Sequence, residues 1–151
     1  MIGVESWHAD HAPDTRKTMM KTPYTATIAS AGTNYLHRIR VGSFDMLSDE
    51  PQSLGGQGQG PAPYDYYLAS LAACTAITLR MYADKKGWNL GEFRAELTFM
   101  RDDEGKVHIH RVLHSDQALD DAQWQRLIEI ADKTPVTKTM REGAVITSAR
   151  G

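Results

Sequence analysis

The sequence predicts an α+β fold in which antiparallel β-hairpins surround one long buried helix. Three observations lead there. Residues 60–88 are a run of apolar and small side chains, opened by Pro61 and Pro63 and closed by Gly87. That is the pattern of a helix apolar on every face, which must be buried on all sides. Two pairs of alternating segments, 24–30 with 35–41 and 92–100 with 106–113, are each joined by a short turn and read as hairpins. A shorter helical pattern opens at Asp120, with Gln123 three residues on as its capping-box partner. The element order reads ββ(β)αββαβ.

Residues 1–19 read as a polar arm, and residues 20–151 as a single domain without internal repeats. The first strand, 24–30, turns at Ala31-Gly32-Thr33-Asn34. The second, 35–41, sets Leu36, Arg38 and Arg40 on one face and Tyr35, His37, Ile39 and Val41 on the other. A short strand is expected over 43–47. Residues 48–62, rich in Gly, Gln and Pro, read as a flexible cover over the helix start; no Gly-Lys-Ser/Thr follows, so a phosphate-binding loop is excluded. Pro63 suits the first helical turn, where a missing N–H is no loss, and Gly87 suits the left-handed stop. In the second hairpin Asp102-Asp103-Glu104-Gly105 turns the chain. The helix from Asp120 carries the stripe Trp124, Leu127, Ile128 and Ala131, and Pro135 breaks it. A last strand is expected over 144–149.

Composition narrows the function classes. A net charge of −2 makes no electrostatic case for nucleic acid or an acidic membrane surface. The single cysteine cannot form an internal disulfide and points to a reducing compartment, the cytoplasm. Residues 1–20 lack the apolar run of a signal peptide. Only the central helix approaches the roughly 20 apolar residues of a membrane span; Asp65, Arg80 and its tyrosines favour a protein core instead. His108 and His110 share a strand face, His114 lies close, and His8 and His11 have helical spacing. Zinc needs three or four ligands in one place, so no metal is expected. A serine-hydrolase elbow, Gly-x-Ser-x-Gly, is absent.

Cys74 is the residue on which chemistry would turn. It sits in the middle of the central helix with Ser70, Leu71, Ile77 and Thr78 as neighbours, and Tyr67 and Met81 a further turn away. A thiol attacks only as thiolate, and apolar burial disfavours that form. No cation lies among these neighbours. Cys74 is therefore an inert core filler, or a reaction centre whose cation comes from elsewhere in the fold or from a partner chain.

The run from Asp49-Glu50-Pro51 through Gly55-Gly56, Gly60-Pro61, Ala72-Ala73-Cys74-Thr75 and Met81-Tyr82-Ala83 resembles the OsmC/Ohr family of organic hydroperoxide reductases, in its OsmC-like branch. The resemblance resumes at Ile130-Ala131-Asp132-Lys133-Thr134-Pro135-Val136 and covers residues 24–149 in order and spacing. It implies an intertwined homodimer with the thiol site at the subunit interface, and a place in the oxidative stress response. It also implies an arginine and a carboxylate that activate the thiol. The family's glutamate falls early in this helix, where the candidate is Asp65, beside Tyr64. A regular helix puts Asp65 about 180° from Cys74, so Asp65 is either a site acid on an irregular first turn or a first-turn carboxylate favouring the helix dipole. Glu50 is a second candidate, or an exposed loop acid. The family's arginine lies near the first hairpin turn, which here holds none; Arg38 and Arg40 are substitutes, or solvated strand residues. Arg80 reads as a structural ion-pair partner.

One departure stands out. The family's second motif reads Ala-Asp-Lys-Cys-Pro-Val-His, and here the cysteine and histidine positions are Thr134 and Thr137. The two-cysteine mechanism cannot run. The resemblance then implies that Cys74 alone reduces an organic or fatty-acid hydroperoxide, needs no cofactor, and is restored by an external thiol or lipoyl dithiol. Tyr67, Leu71, Ile77 and Met81 would shelter the organic tail. The alternative is a non-catalytic protein on the same scaffold, binding a small hydrophobic ligand or sensing redox state.

Overall fold

The long apolar run folds as one helix, α1 (Pro63–Lys86). Pro63 occupies its first turn, the Asp65 carboxylate accepts the Ala62 N–H at 2.8 Å, and Gly87 ends it in the left-handed conformation at φ 68°. Lys85 and Lys86 sit in the last turn, where positive charge meets the carbonyl end of the helix dipole. The structure is a computed structural model that describes residues 24–32 and 34–151. The arm expected over 1–19, His8, His11 and Thr33 of the first turn lie outside the described residues.

The alternating segments form two antiparallel sheets, and β4 of the second packs on α1. β1 (Ala26–Ser30), β2 (His37–Val41) and β3 (Phe44–Ser48) form a three-stranded sheet with Ile28 opposite Ile39 and Ile39 opposite Met46. β4 (Phe93–Arg101) and β5 (Val107–Ser115) form a hairpin in which Ala95 faces Leu113, Leu97 faces Arg111 and Phe99 faces Ile109. Asp102 sets the hairpin's turn by accepting the N–H groups of Glu104 and Lys106 and a 2.7 Å bond from His108, which holds its carboxyl below the usual carboxylate range. α2 (Asp121–Ala131) opens with the expected reciprocal cap: Gln123 N–H donates to Asp120 Oδ1 at 2.7 Å, and Asp120 N–H to Gln123 Oε1 at 2.9 Å.

Leu79, Ala83, Leu90, Leu127 and Ala131 form the buried core, ringed by Tyr82, Trp88, Phe93, Leu113, Leu119, Trp124 and Ile130. The expectation that α1 is buried on all sides does not hold within one chain. Only the stripe Leu71, Thr75, Leu79, Ala83 is buried, while Ile77 is 60% and Met81 65% exposed. α2, α3 and β4 cover one side of the helix.

Two further expectations are corrected. Pro135 does not merely break α2; it starts a helix, α3 (Pro135–Glu142), with Thr134 at the N-cap position. Proline fits a first turn as well as it stops a preceding one. Residues 144–149 are not a strand, and Val145 and Ile146 are 97% and 86% exposed. A strand needs a neighbour for its ladder, and none pairs with this one among the described residues.

The glycine-rich loop is pinned rather than flexible. Asp49, 3% exposed, accepts the N–H groups of Glu50 at 2.8 Å and of Gln57 and Gln59 at 3.1 Å. Gly58 N–H donates to Glu50 O, Ser48 Oγ–H to Pro61 O, and Tyr66 O–H to Leu47 O. A Cβ on Gly56 would stand 1.9 Å from Glu50 O, so only glycine permits this approach. The Gln59 N–H, then those of Gln57 and Glu50, hold the Asp49 carboxyl below its usual range. A carboxyl whose pKa is lowered on folding stabilises the fold above its unfolded value, about 3.9. That contribution is lost as pH falls through the lower folded value. Asp49→Asn should therefore lower the melting temperature at neutral pH, and the gap to wild type should close in acid. Thermal melts followed by circular dichroism near pH 7 and near pH 3 test this; a gap that does not change with pH would exclude it.

Candidate functional site

Cys74 is half-buried on α1, and its Sγ lies 3.9 Å from Thr78 Oγ1. The next residue, Thr75, is fully buried and donates its hydroxyl proton to Leu71 O at 2.7 Å. Its oxygen is left as an acceptor, and Arg111 Nη1 donates to it at 2.7 Å. Arg111 comes from β5. Strand alternation turns it to the same side as Ile109 and Leu113, towards α1, and leaves its side chain 13% exposed.

The second-cysteine positions join the same cluster. Arg111 Nη1 also donates to Thr137 Oγ1 at 3.3 Å. Thr137 gives its proton to Ala131 O at 3.1 Å. Thr134 Oγ1 lies 2.7 Å from Thr137 Oγ1 and must therefore be the donor of that pair. Thr137 thus donates once and accepts twice, which satisfies a hydroxyl fully. Both threonines are buried. Asp132 completes the cluster: its Oδ1 is 3.5 Å from Arg111 Nη2 and accepts from Arg141 Nη2 at 3.2 Å. Burial pushes the Arg111 guanidinium down from its usual value, Asp132 and Cys74 pull it up, and Arg141 pushes it down.

A cavity of about 960 Å³ opens beside this cluster, walled by Tyr67, Leu71, Arg111, Trp124, Ile128 and Met140 among others. Two of the four expected pocket residues line it, Tyr67 and Leu71. Ile77 and Met81 do not. On a helix Leu71 lies about 60° from Cys74 towards the buried stripe and Ile77 about 60° the other way, so the two flank the thiol on opposite sides.

The remaining candidates are placed elsewhere. Asp65 caps the first turn of α1 and is exposed; the helix is regular there and turns it away from Cys74. Glu50 is half-buried at the start of the pinned loop, which its backbone N–H and C=O help to fasten. Arg40 pairs with Asp45 at 3.5 Å on the exposed β2–β3 face. Arg38 is exposed on β2 opposite Ala29 and Leu47. Arg80 donates to Gly91 O at 2.7 Å, a structural hydrogen bond rather than the expected ion pair. His108 is held by Asp102, and His114 lies 3.5 Å from Glu96. Among the described residues, no group of three His, Cys, Asp or Glu side chains comes together to hold a metal ion, and no helix is long and apolar enough to cross a membrane.

Arg111 is the residue that sequence reasoning missed. Its signal was present: an arginine in register with Ile109 and Leu113, on the apolar face of an alternating strand.

A family model described as OsmC-like protein matches residues 56–149. A search of curated proteins finds no match. Among solved structures, the chain is similar to a putative osmotic stress induced and detoxification response protein from Psychrobacter arcticus, with TM-score 0.68 and 21% identity over 80% of this chain and 90% of that one. It is similar to an OsmC like protein from Mycoplasma pneumoniae, with TM-score 0.65 and 20% identity over 81% and 89%. It also resembles the organic hydroperoxide resistance protein OhrB of Bacillus subtilis, with TM-score 0.58 and 22% identity over 80% and 91%.

Proposed function

This chain belongs to the OsmC-like protein family, and from that premise we propose that it reduces organic hydroperoxides through Cys74 and an external thiol. The supporting observation is the large, partly apolar cavity whose wall includes Leu71, one turn before Cys74, and the Arg111 guanidinium. Such a space takes a hydrophobic tail and sets its polar end against the Arg111 guanidinium. The hydroperoxide resistance protein among its structural relatives points the same way.

The thiolate sulfur of Cys74 attacks the terminal oxygen of ROOH. An S–O bond forms and the O–O bond breaks; sulfur loses two electrons and the peroxide gains them. The leaving alkoxide takes a proton from water and departs as ROH. With Thr134 in place of a second thiol, no internal disulfide can form. One thiol of a small dithiol, the lipoyl type included, displaces water from the sulfenic acid, and its second thiol then releases Cys74 and closes the reductant's own disulfide. That requirement suits the reducing cytoplasm.

The partner is a second copy of the chain. Ile77 and Met81 on α1, with Ile28 and Phe44 on the first sheet, are exposed apolar groups that a two-fold interface would cover.

The test is consumption of tert-butyl hydroperoxide with dithiothreitol or dihydrolipoamide, alongside intact mass. Wild type should turn over and, without reductant, gain one oxygen at Cys74; Cys74→Ser should do neither. Unchanged mass at Cys74 under excess peroxide would sink this reading and favour a hydrophobic-ligand binder.

A further inference from the structure

We propose that Arg111 is the catalytic cation of the Cys74 site and that Thr75 and Thr137 are its positioning residues. On this assignment the threonine at the family's histidine position serves the first thiol, and Thr134 supports it. The inference rests on the reading of Cys74 as the peroxide-reducing thiol.

Burying a guanidinium is costly unless its charge is compensated. Arg111 is compensated only in part. Two of its contacts are neutral hydroxyls, those of Thr75 and Thr137. Its one carboxylate among the described residues, Asp132, stands at 3.5 Å and is nearer Arg141, at 3.2 Å. Two arginines against one aspartate leave one positive charge over, at the wall of the cavity and beside the residue that follows Cys74.

The hydrogen bonds fix where that charge sits. Thr75 is bound to Leu71 O, so its lone pairs face Arg111. Thr137 is held by Thr134 and by Ala131 O. Arg111 Nη1 is thereby clamped between α1 and α3. A cation fixed against Thr75, the residue that follows Cys74, attracts the anionic sulfur and the negative charge that grows on the alkoxide oxygen as the O–O bond breaks. The other arginine candidates do not stand there: Arg40 faces Asp45, and Arg80 is spent on Gly91 O.

The experiment compares wild type with Arg111→Gln, Arg111→Lys, Thr137→Val and Thr137→Ser. Two quantities are read: kcat/KM for tert-butyl hydroperoxide, and the ratio of Cys74 alkylation rates with anionic iodoacetate and neutral iodoacetamide. The ratio senses a local positive charge and needs no peroxide chemistry. Arg111→Gln should lower kcat/KM by about 100-fold and lower the ratio. Arg111→Lys, which keeps the charge but not the fork, should keep most of the ratio and lose turnover; it also serves if the glutamine variant does not fold. Thr137→Val should lower both quantities to a smaller extent, and Thr137→Ser, which keeps the hydroxyl, should restore them. Turnover and ratio both unchanged in Arg111→Gln would overturn the assignment while the peroxidase reading stood. Wild type without turnover, but with a ratio that still falls in Arg111→Gln, would overturn the peroxidase reading and support the coupling of Arg111 to Cys74.

Discussion

Leu79→Ala should destabilise the protein by about 2–5 kcal/mol. Leu79 is fully buried and lies at the centre of the cluster with Ala83, Leu90, Leu127 and Ala131. Its neighbours come from α1, α2 and the segment before β4, so no single element can move to fill the space. The cost is therefore lost burial plus a residual cavity. Against a typical total of about 5–15 kcal/mol, this is a large share. Leu79 is also one turn beyond Thr75 on the same stripe, so the loss weakens the seat of the helix that presents Cys74. Urea denaturation should show a lower midpoint with an unchanged slope. A loss below about 1 kcal/mol would mean that the core closes over the site far more readily than the packing described here allows.

The paired change Ile77→Asp, Met81→Asp should convert a dimer into a monomer. These side chains are 60% and 65% exposed on the flank of α1 that the chain leaves uncovered. Burying each against a second copy is worth about 1.5–3 kcal/mol. In a two-fold interface a substitution occurs on both sides, so four carboxylates would enter an apolar contact and both desolvation and like-charge repulsion would oppose it. Neither residue belongs to the buried stripe, so the folded chain itself should survive. Light scattering at micromolar concentration should give the dimer mass for wild type and half of it for the variant. A wild-type monomer under those conditions would refute the two-fold assembly.

Features governed by neighbours a few residues apart were legible without the structure. The reciprocal cap of Asp120 and Gln123, the proline start and glycine stop of α1, and both hairpins follow from rules that act over one turn or one alternation. Helical spacing alone also sets Asp65 opposite Cys74, and the first turn on which it lies is regular. Where a local rule allowed two outcomes, the choice went astray. Pro135 ends one helix and begins the next, and only the second role leaves Thr134 as an N-cap. The alternating residues 144–149 find no ladder partner among the described residues. The glycine-rich loop looked flexible because its anchor, the carboxylate of Asp49, works through backbone N–H groups up to ten residues away.

The sequence by itself determined the secondary structure around Cys74, the family resemblance, and the absence of a second thiol, since these are matters of residue type and short spacing. Tertiary structure decided which side chains meet the residue next to Cys74. Arg111 reaches Thr75 across 36 residues and Thr137 across 26, and nothing in local propensity links those positions. They meet because β5 turns its inward face to α1 while α3 packs against the same helix. A charge acts through distance in space, so Arg111 could be placed against Thr75, next to Cys74, only once the chain was folded.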